Sequence, residues 1–174
     1  MAEYFKGKTI GVATVAGTPS TIVRFYLKRL GLDERRDVVM LNGVPAAMLA
    51  AVRAGRAQIS VANEPVLTQG VVQRIWTEPF LSVPRDLGNY AYTAVSARQD
   101  VLQSDPDTAR GVVGGLKRAL KIITSDLDFT LEALRKEFPT TSVTDLKAVT
   151  QRAFADQLWS PDGLIDEAAW TMSK

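Results

Sequence analysis

From the N-terminus to Arg98, short β-branched, apolar runs alternate with stretches of helical periodicity, joined by short connections, and this alternation constrains the fold more than any other feature. Thr9-Ile10-Gly11-Val12-Ala13-Thr14 reads as a buried strand. Gly17-Thr18-Pro19-Ser20 follows, and then Ile22, Val23, Phe25, Tyr26, Leu27 and Leu30 form a broad apolar face. That pattern predicts a helix capped by Thr18, with Pro19 at its first position, stopped by Gly31. Val38-Val39-Met40-Leu41 predicts a second strand, and Ala46–Ala54 a helix with Leu49 and Val52 facing inward, closed by Gly55. Ile59-Ser60-Val61-Ala62 predicts a third strand, and Val66–Ile75 a further helix. Pro79–Val83 and Asn89–Ser96 are two more strand candidates. The expectation is an α/β lobe over residues 1–98, with a mostly parallel sheet and right-handed crossovers.

After Arg98 the pattern changes. Asp105-Pro106-Asp107 reads as a helix start, and Val112, Val113, Leu116, Ala119, Leu120 and Ile123 recur at three- and four-residue spacing. A second helix runs through Leu127, Leu131, Leu134 and Phe138, ending before Pro139. Ser142-Val143-Thr144-Asp145 opens a third, carrying Leu146, Val149, Ala153 and Phe154. Beyond the turn at Ser160-Pro161-Asp162-Gly163, the run Leu164, Ile165, Ala168, Ala169 and Met172 begins a fourth. Residues 99–174 therefore read as an all-helical segment, and the chain contains no internal repeat.

Composition narrows the chemistry. The sequence has no cysteine and no histidine, so disulfides, zinc–thiolate and histidine metal sites, Cys nucleophiles and Ser–His pairs are excluded for this chain. Neither a metal nor a cofactor is expected. Residues 1–98 hold twelve basic against seven acidic residues, a net +5, and the remainder nine against twelve, a net −3. The basic residues (Arg24, Lys28, Arg29, Arg35, Arg36, Arg53, Arg56) are scattered along the sequence without an interleaved aromatic platform, so they read as solvated helix surface and nucleic acid is not an expected partner. The N-terminal Met-Ala-Glu-Tyr-Phe-Lys-Gly-Lys carries charge where a signal peptide has its apolar run, so no signal peptide is expected, and no stretch is long and apolar enough to span a bilayer. Tyr90 and Tyr92 share one face of their strand candidate and read as core, as do Trp76, Trp159 and Trp170.

In open parallel sheets, ligands bind beyond the carboxyl ends of the strands. The segments there are Ala16-Gly17-Thr18-Pro19-Ser20-Thr21, Asn42-Gly43-Val44-Pro45 and Asn63-Glu64-Pro65. Two of them open helices, where free N–H groups and the positive dipole end, with the Thr18, Ser20 and Thr21 hydroxyls, favour an anion. Gly17 and Gly43 allow close approach of backbone amides. Val15, Ala16 and Val44 add some apolar surface. The candidate ligand-binding residues are thus Gly17, Thr18, Pro19, Ser20, Thr21, Asn42, Gly43, Val44, Asn63 and Glu64. The spacing Gly-x4-Gly-Lys-Ser/Thr of a nucleotide P-loop is absent.

Phe5-Lys6-Gly7-Lys8-Thr9-Ile10-Gly11-Val12, Gly17-Thr18-Pro19-Ser20, Gly43-Val44-Pro45-Ala46-Ala47 before Leu49-x3-Arg53-Ala54-Gly55, and Asn63-Glu64-Pro65 occur in an order and spacing that resembles the second lobe of ABC-transporter substrate-binding proteins. The resemblance is to the nitrate/sulfonate/taurine/bicarbonate and thiamine-precursor group, and it extends through Tyr92–Asp100 and Asp105-Pro106-Asp107. It implies a type II periplasmic-binding-protein-like lobe in which the loop matching Gly17–Thr21 cradles the ligand's anionic group. The loops matching Asn42–Pro45 and Asn63–Pro65 line the same cleft. It also implies an ABC permease as partner and a periplasmic or lipid-anchored location for the parent protein. In such proteins a first lobe with a signal peptide precedes this region and a terminal segment follows it, so this chain is expected to be truncated. The helices of 99–174 would pack on that first lobe. Without it, their apolar stripes are expected to drive self-association.

Two other function classes remain in view. Relatives of this group include pyrimidine-forming and desulfinating enzymes that rely on histidine or cysteine, which this chain lacks. Similar lobes also serve as effector-sensing modules in regulators, but no DNA-binding helix-turn-helix is visible here. The expectation is a non-enzymatic binder.

Overall fold

The computed structural model describes residues 1–14 and 16–173, in two compact units, Met1–Glu78 and Pro79–Lys174. In the first unit, a short helix α1 (Ala2–Phe5), which the sequence reading lacks, precedes β1 (Thr9–Ala13), α2 (Thr18–Arg29), β2 (Val39–Gly43), α3 (Pro45–Arg53), β3 (Ile59–Ser60, shorter than the expected 59–62) and α4 (Val66–Val72), which alternate as the sequence predicts. The strands form a parallel sheet of order β2-β1-β3. β1 lies in the middle because it is the most apolar run, and Ile10 and Val12 are buried almost completely. α2 buries Val23 and Leu27 against it, while Phe25 stays 42% exposed at the margin of the broad apolar face.

Both long helices end where glycine predicts. The Leu32 N–H reaches the Leu27 carbonyl (2.8 Å) and the Gly31 N–H that of Lys28 (3.1 Å), with Gly31 at φ +73°. Arg56 to Ala51 (2.8 Å) and Gly55 to Val52 (2.9 Å) repeat the pattern after α3, with Gly55 at φ +71°. Only a residue without a Cβ takes this left-handed position at no steric cost.

The helix starts differ from expectation. Gly17, not Thr18, is the N-cap of α2, since Gly17 is extended (φ −95°, ψ 171°) and Thr18 is already helical. In α3 the most buried residues are Met48 and Ala51, whereas Leu49 and Val52 are half-buried. Glycine is the reason for this phase. The Met48 thioether sits over β1 and β2, where a Cβ on Gly11 would lie 3.1 Å from Met48 Sδ and one on Gly43 2.7 Å from Met48 Cε.

The second unit holds α5 (Val83–Leu87), α6 (Gln99–Ser104), α7 (Pro106–Ser125), α8 (Leu127–Glu137), α9 (Val143–Ala155) and α10 (Glu167–Met172). Four of these helices carry a side-chain cap. Asp105 accepts from Thr108 N–H, Asp126 from Phe129 N–H, Ser142 from Asp145 N–H and Asp166 from Ala169 N–H. α9 supplies the core, with Leu146, Val149, Thr150 and Ala153 buried. Phe154 is only half-buried and packs edge-to-face on Trp159, ring centroids 5.7 Å apart. The fourth helix starts at Glu167, leaving Leu164 outside it and 71% exposed.

Neither later strand candidate forms. Val83 opens α5, and residues 89–96 have no ladder partner among the described residues. The Ala91 N–H is donated instead to Ser173 Oγ (2.7 Å), at the end of α10. Alternation buries one face of a segment only when a neighbouring strand completes the sheet. Tyr92 is accordingly 42% exposed rather than part of a core.

Candidate functional site

Parallel pairing brings the strand-end loops of the first unit to one edge. Ala13 at the end of β1 pairs with Gly43 at the end of β2, and Gly11 pairs with Ser60 at the end of β3. The chain leaves β1 towards β2 on one side, then crosses to β3 on the other, so the order reverses at β1. A crevice at such a reversal is the usual ligand position in open α/β sheets. Ala16–Thr21, Asn42–Pro45 and Asn63–Pro65 all leave this edge, as the sequence predicts; Val15 lies outside the described residues.

Thr14 connects the first two loops, and sequence reasoning did not single it out as a site residue. It adopts φ +67°, a left-handed conformation unfavourable for a β-branched residue. Three hydrogen bonds hold it there. Its N–H donates to the Gly43 carbonyl (3.2 Å), its hydroxyl to the Ala13 carbonyl (2.5 Å), and its own carbonyl accepts from Ser20 Oγ. Ser20 is completely buried, so its hydroxyl is committed to Thr14 and faces inward rather than toward a ligand. Gly17 belongs to the same arrangement, since a Cβ there would lie 2.4 Å from Thr14 Oγ1.

The N–H inventory at α2 is smaller than the sequence implies. Pro19 has none, and Ser20 and Thr21 donate to the Gly17 carbonyl (3.0 and 3.2 Å). Among the described residues, the Gly17 and Thr18 amides are the first-turn donors with no partner within the protein. α3 starts similarly, with exposed Val44 as its N-cap and no side-chain cap. Asn42 and Asn63 are exposed at the same edge. The third loop differs: Glu64 accepts from the Thr68 N–H (3.1 Å) and Thr68 Oγ1 (3.0 Å), so a carboxylate already occupies the start of α4. The start of α4 thus already holds a carboxylate, whereas no side chain caps the starts of α2 and α3.

Trp76 packs beside this segment, as expected, donating its indole N–H to the Leu67 carbonyl (3.0 Å) over Gly70, which has no room for a Cβ. A surface hollow of about 370 Å³, lined by Arg24, Leu27, Lys28, Leu32, Asp33, Glu34 and Arg35, opens at the far end of α2. The Arg24–Glu34 ion pair (2.6 Å) spans it, and it lies on the sheet edge opposite the loops. In the second unit, Tyr90 and Tyr92 stack edge-to-face at 6.1 Å, and burial, aided by Tyr92, pushes the Tyr90 phenol up to about 12. Among the described residues, no group of acidic side chains is placed to hold a metal ion, and no helix is long and apolar enough to cross a membrane.

Comparison with known proteins agrees with the fold. The model of the NMT1-like family matches residues 1–135. YtlA of Bacillus subtilis (strain 168), named as a candidate binding protein, is 23% identical over 177 residues, which cover 98% of this chain and 51% of that protein. A solved structure from Bordetella bronchiseptica RB50 superposes with a TM-score of 0.65 at 24% identity, over 95% of this chain and 54% of that one. The alkanesulfonate-binding protein SsuA from Xanthomonas axonopodis pv. citri, solved bound to MOPS, gives 0.60 at 17% identity, over 98% of this chain and 65% of SsuA. The chain spans about half the length of YtlA and of the Bordetella protein. It belongs to the NMT1-like family and has the fold of the ABC-transporter substrate-binding proteins.

Proposed function

We propose that this chain is the ligand-binding lobe of a solute-binding component of an ABC importer for a small anion such as a sulfonate, nitrate or bicarbonate. The observation that carries this reading is the pair of helix starts at Gly17 and Val44, neither with a side-chain cap, joined by the Thr14–Gly43 hydrogen bond on one sheet edge. α7, α8, α9 and α10 each have one first-turn N–H accepted by an Asp or Ser side chain, whereas α5 and α6 lack such a cap as these two do, so it is the placing of both uncapped starts on one sheet edge that sets the pair apart. Amides left open at a helix start suit an anion. The match to an alkanesulfonate-binding protein fits the same chemistry.

In this reading the lobe is residues 1–98, and the helices of 99–174 pack on a further lobe of a longer, extracytoplasmic protein. Gly17, Thr18 and Thr21 meet the anion, with Pro19 shaping the turn, Asn42, Gly43, Val44 and Asn63 lining the crevice, and Glu64 setting its acidic limit. Ser20 contributes by positioning Thr14. The role is binding and delivery to a permease rather than catalysis, in keeping with a sequence that has no histidine or cysteine.

A calorimetric and thermal-shift screen over MOPS, taurine, nitrate, bicarbonate and aromatic carboxylates tests the reading, using the chain together with any reading frame that flanks it. Saturable binding of one anion is the expected result, weak in the chain alone because half of a two-lobed clamp encloses a ligand incompletely. Absence of binding to all of them in the longer protein would overturn it.

A further inference from the structure

We propose that the sheet edge opposite the ligand loops is a docking face for an anionic lipid bilayer. The basic residues that are scattered in sequence converge there. Hydrogen bonds from Gly7 N–H to the Asp37 carbonyl (2.7 Å), Val39 N–H to Lys8 (2.9 Å) and Gln58 N–H to Thr9 (3.0 Å) set the entries to β1, β2 and β3 side by side. These entries bring Lys6 and Lys8, Arg35 and Arg36, and Arg56 to one edge. Helices that cross over between parallel strands run back against them, so α2 and α3 deliver Lys28, Arg29 and Arg53 to the same edge.

Of the acidic residues nearby, Glu3 pairs with Lys6 and Glu34 with Arg24, each at 2.6 Å, while Asp33 and Asp37 accept main-chain N–H groups at 2.8 and 2.7 Å and keep their charge, so the cations of this edge are in excess rather than unopposed. Lys28, Arg29, Arg35, Arg36 and Arg56 are exposed, and residues 1–78 hold ten basic against six acidic side chains, a net +4. Tyr4 and Val39, 54% and 57% exposed, lie on the same edge and supply the amphipathic contact that an interface takes up. Nucleic acid fits less well, since the cations sit on separate helix ends and tight loops rather than along a groove with stacking aromatics.

Co-sedimentation of the full chain with vesicles tests this. Binding is expected to phosphatidylcholine vesicles containing about one-third phosphatidylglycerol, and not to pure phosphatidylcholine, weakening as salt shortens the screening length. Each Lys or Arg near an anionic leaflet changes partitioning by about fivefold. The double variants Lys28→Gln/Arg29→Gln and Arg35→Gln/Arg36→Gln should therefore each reduce binding by about twenty-five-fold, and Lys117→Gln/Lys121→Gln on α7 should leave it unchanged. The second pair lies in a loop, so a fold defect from either pair alone is distinguishable by circular dichroism. Equal binding to neutral vesicles, no binding at low salt, loss with the α7 variant but not the edge variants, or tighter binding to duplex DNA than to the anionic vesicles would each overturn the proposal.

Discussion

Thr14 and Ser20 show how a site is shaped by residues that do not face it. Nothing in Ala13-Thr14-Val15-Ala16 marks Thr14 as left-handed; that conformation arises because Gly43 takes its N–H and the buried Ser20 hydroxyl takes its carbonyl. Ser20 was legible as a polar residue in a helix start, but its inward direction depends on the partner that packing supplies. Removing the hydroxyl leaves the Thr14 carbonyl without this donor. Ser20→Ala is expected to cost about 1–3 kcal/mol, read as a lowered midpoint in urea unfolding. Thr21→Ala, at an exposed hydroxyl 3.5 Å from the Gly17 carbonyl, should stay within about 0.5 kcal/mol. Equal effects of the two substitutions would mean that Ser20 has no positioning role.

Elements were legible where their signals are local. Gly31 and Gly55 stop α2 and α3, and Asp105 and Ser142 start α7 and α9, because caps and left-handed glycines need only their own turn. Two kinds of element were misread, and both depend on distant partners. The phase of α3 is set by the seat that Gly11 and Gly43 make for Met48, and the 89–96 alternation never meets a strand that would turn it into sheet. In the second unit the periodic stripe of α9 names three of its core residues, Leu146, Val149 and Ala153, with Leu146 fully buried, but misses Thr150 and overstates Phe154. Leu146→Ala is expected to lower stability by about 2–5 kcal/mol, whereas Leu164→Ala, outside any helix and 71% exposed, should change it by less than about 0.5 kcal/mol. Thermal unfolding followed by circular dichroism separates the two, and a small effect at Leu146 would remove α9 from the core.

For the molecule as a whole, the apolar stripe of α7 matters most. No α7 residue is buried, and Val112, Val113 and Leu116 are 49, 59 and 44% exposed on a helix of 20 residues. A contiguous apolar face of this kind seeks a partner. We expect concentration-dependent self-association in sedimentation velocity, abolished by Val113→Lys/Leu116→Lys; a compact monomer at high concentration would refute it. The same comparison of scales explains the charges. Read linearly, Lys28, Arg35, Arg53 and Arg56 are separate solvated positions, and the crossovers are what gather them on one edge opposite the loops. Periodicity, caps and glycines determine the α/β alternation, the helical second half and the three loops, because each depends on energies within a few residues. The conformation of Thr14, the inward turn of Ser20, the fate of 79–98 and the gathering of charge follow from contacts between segments far apart in the chain, which no local pattern encodes.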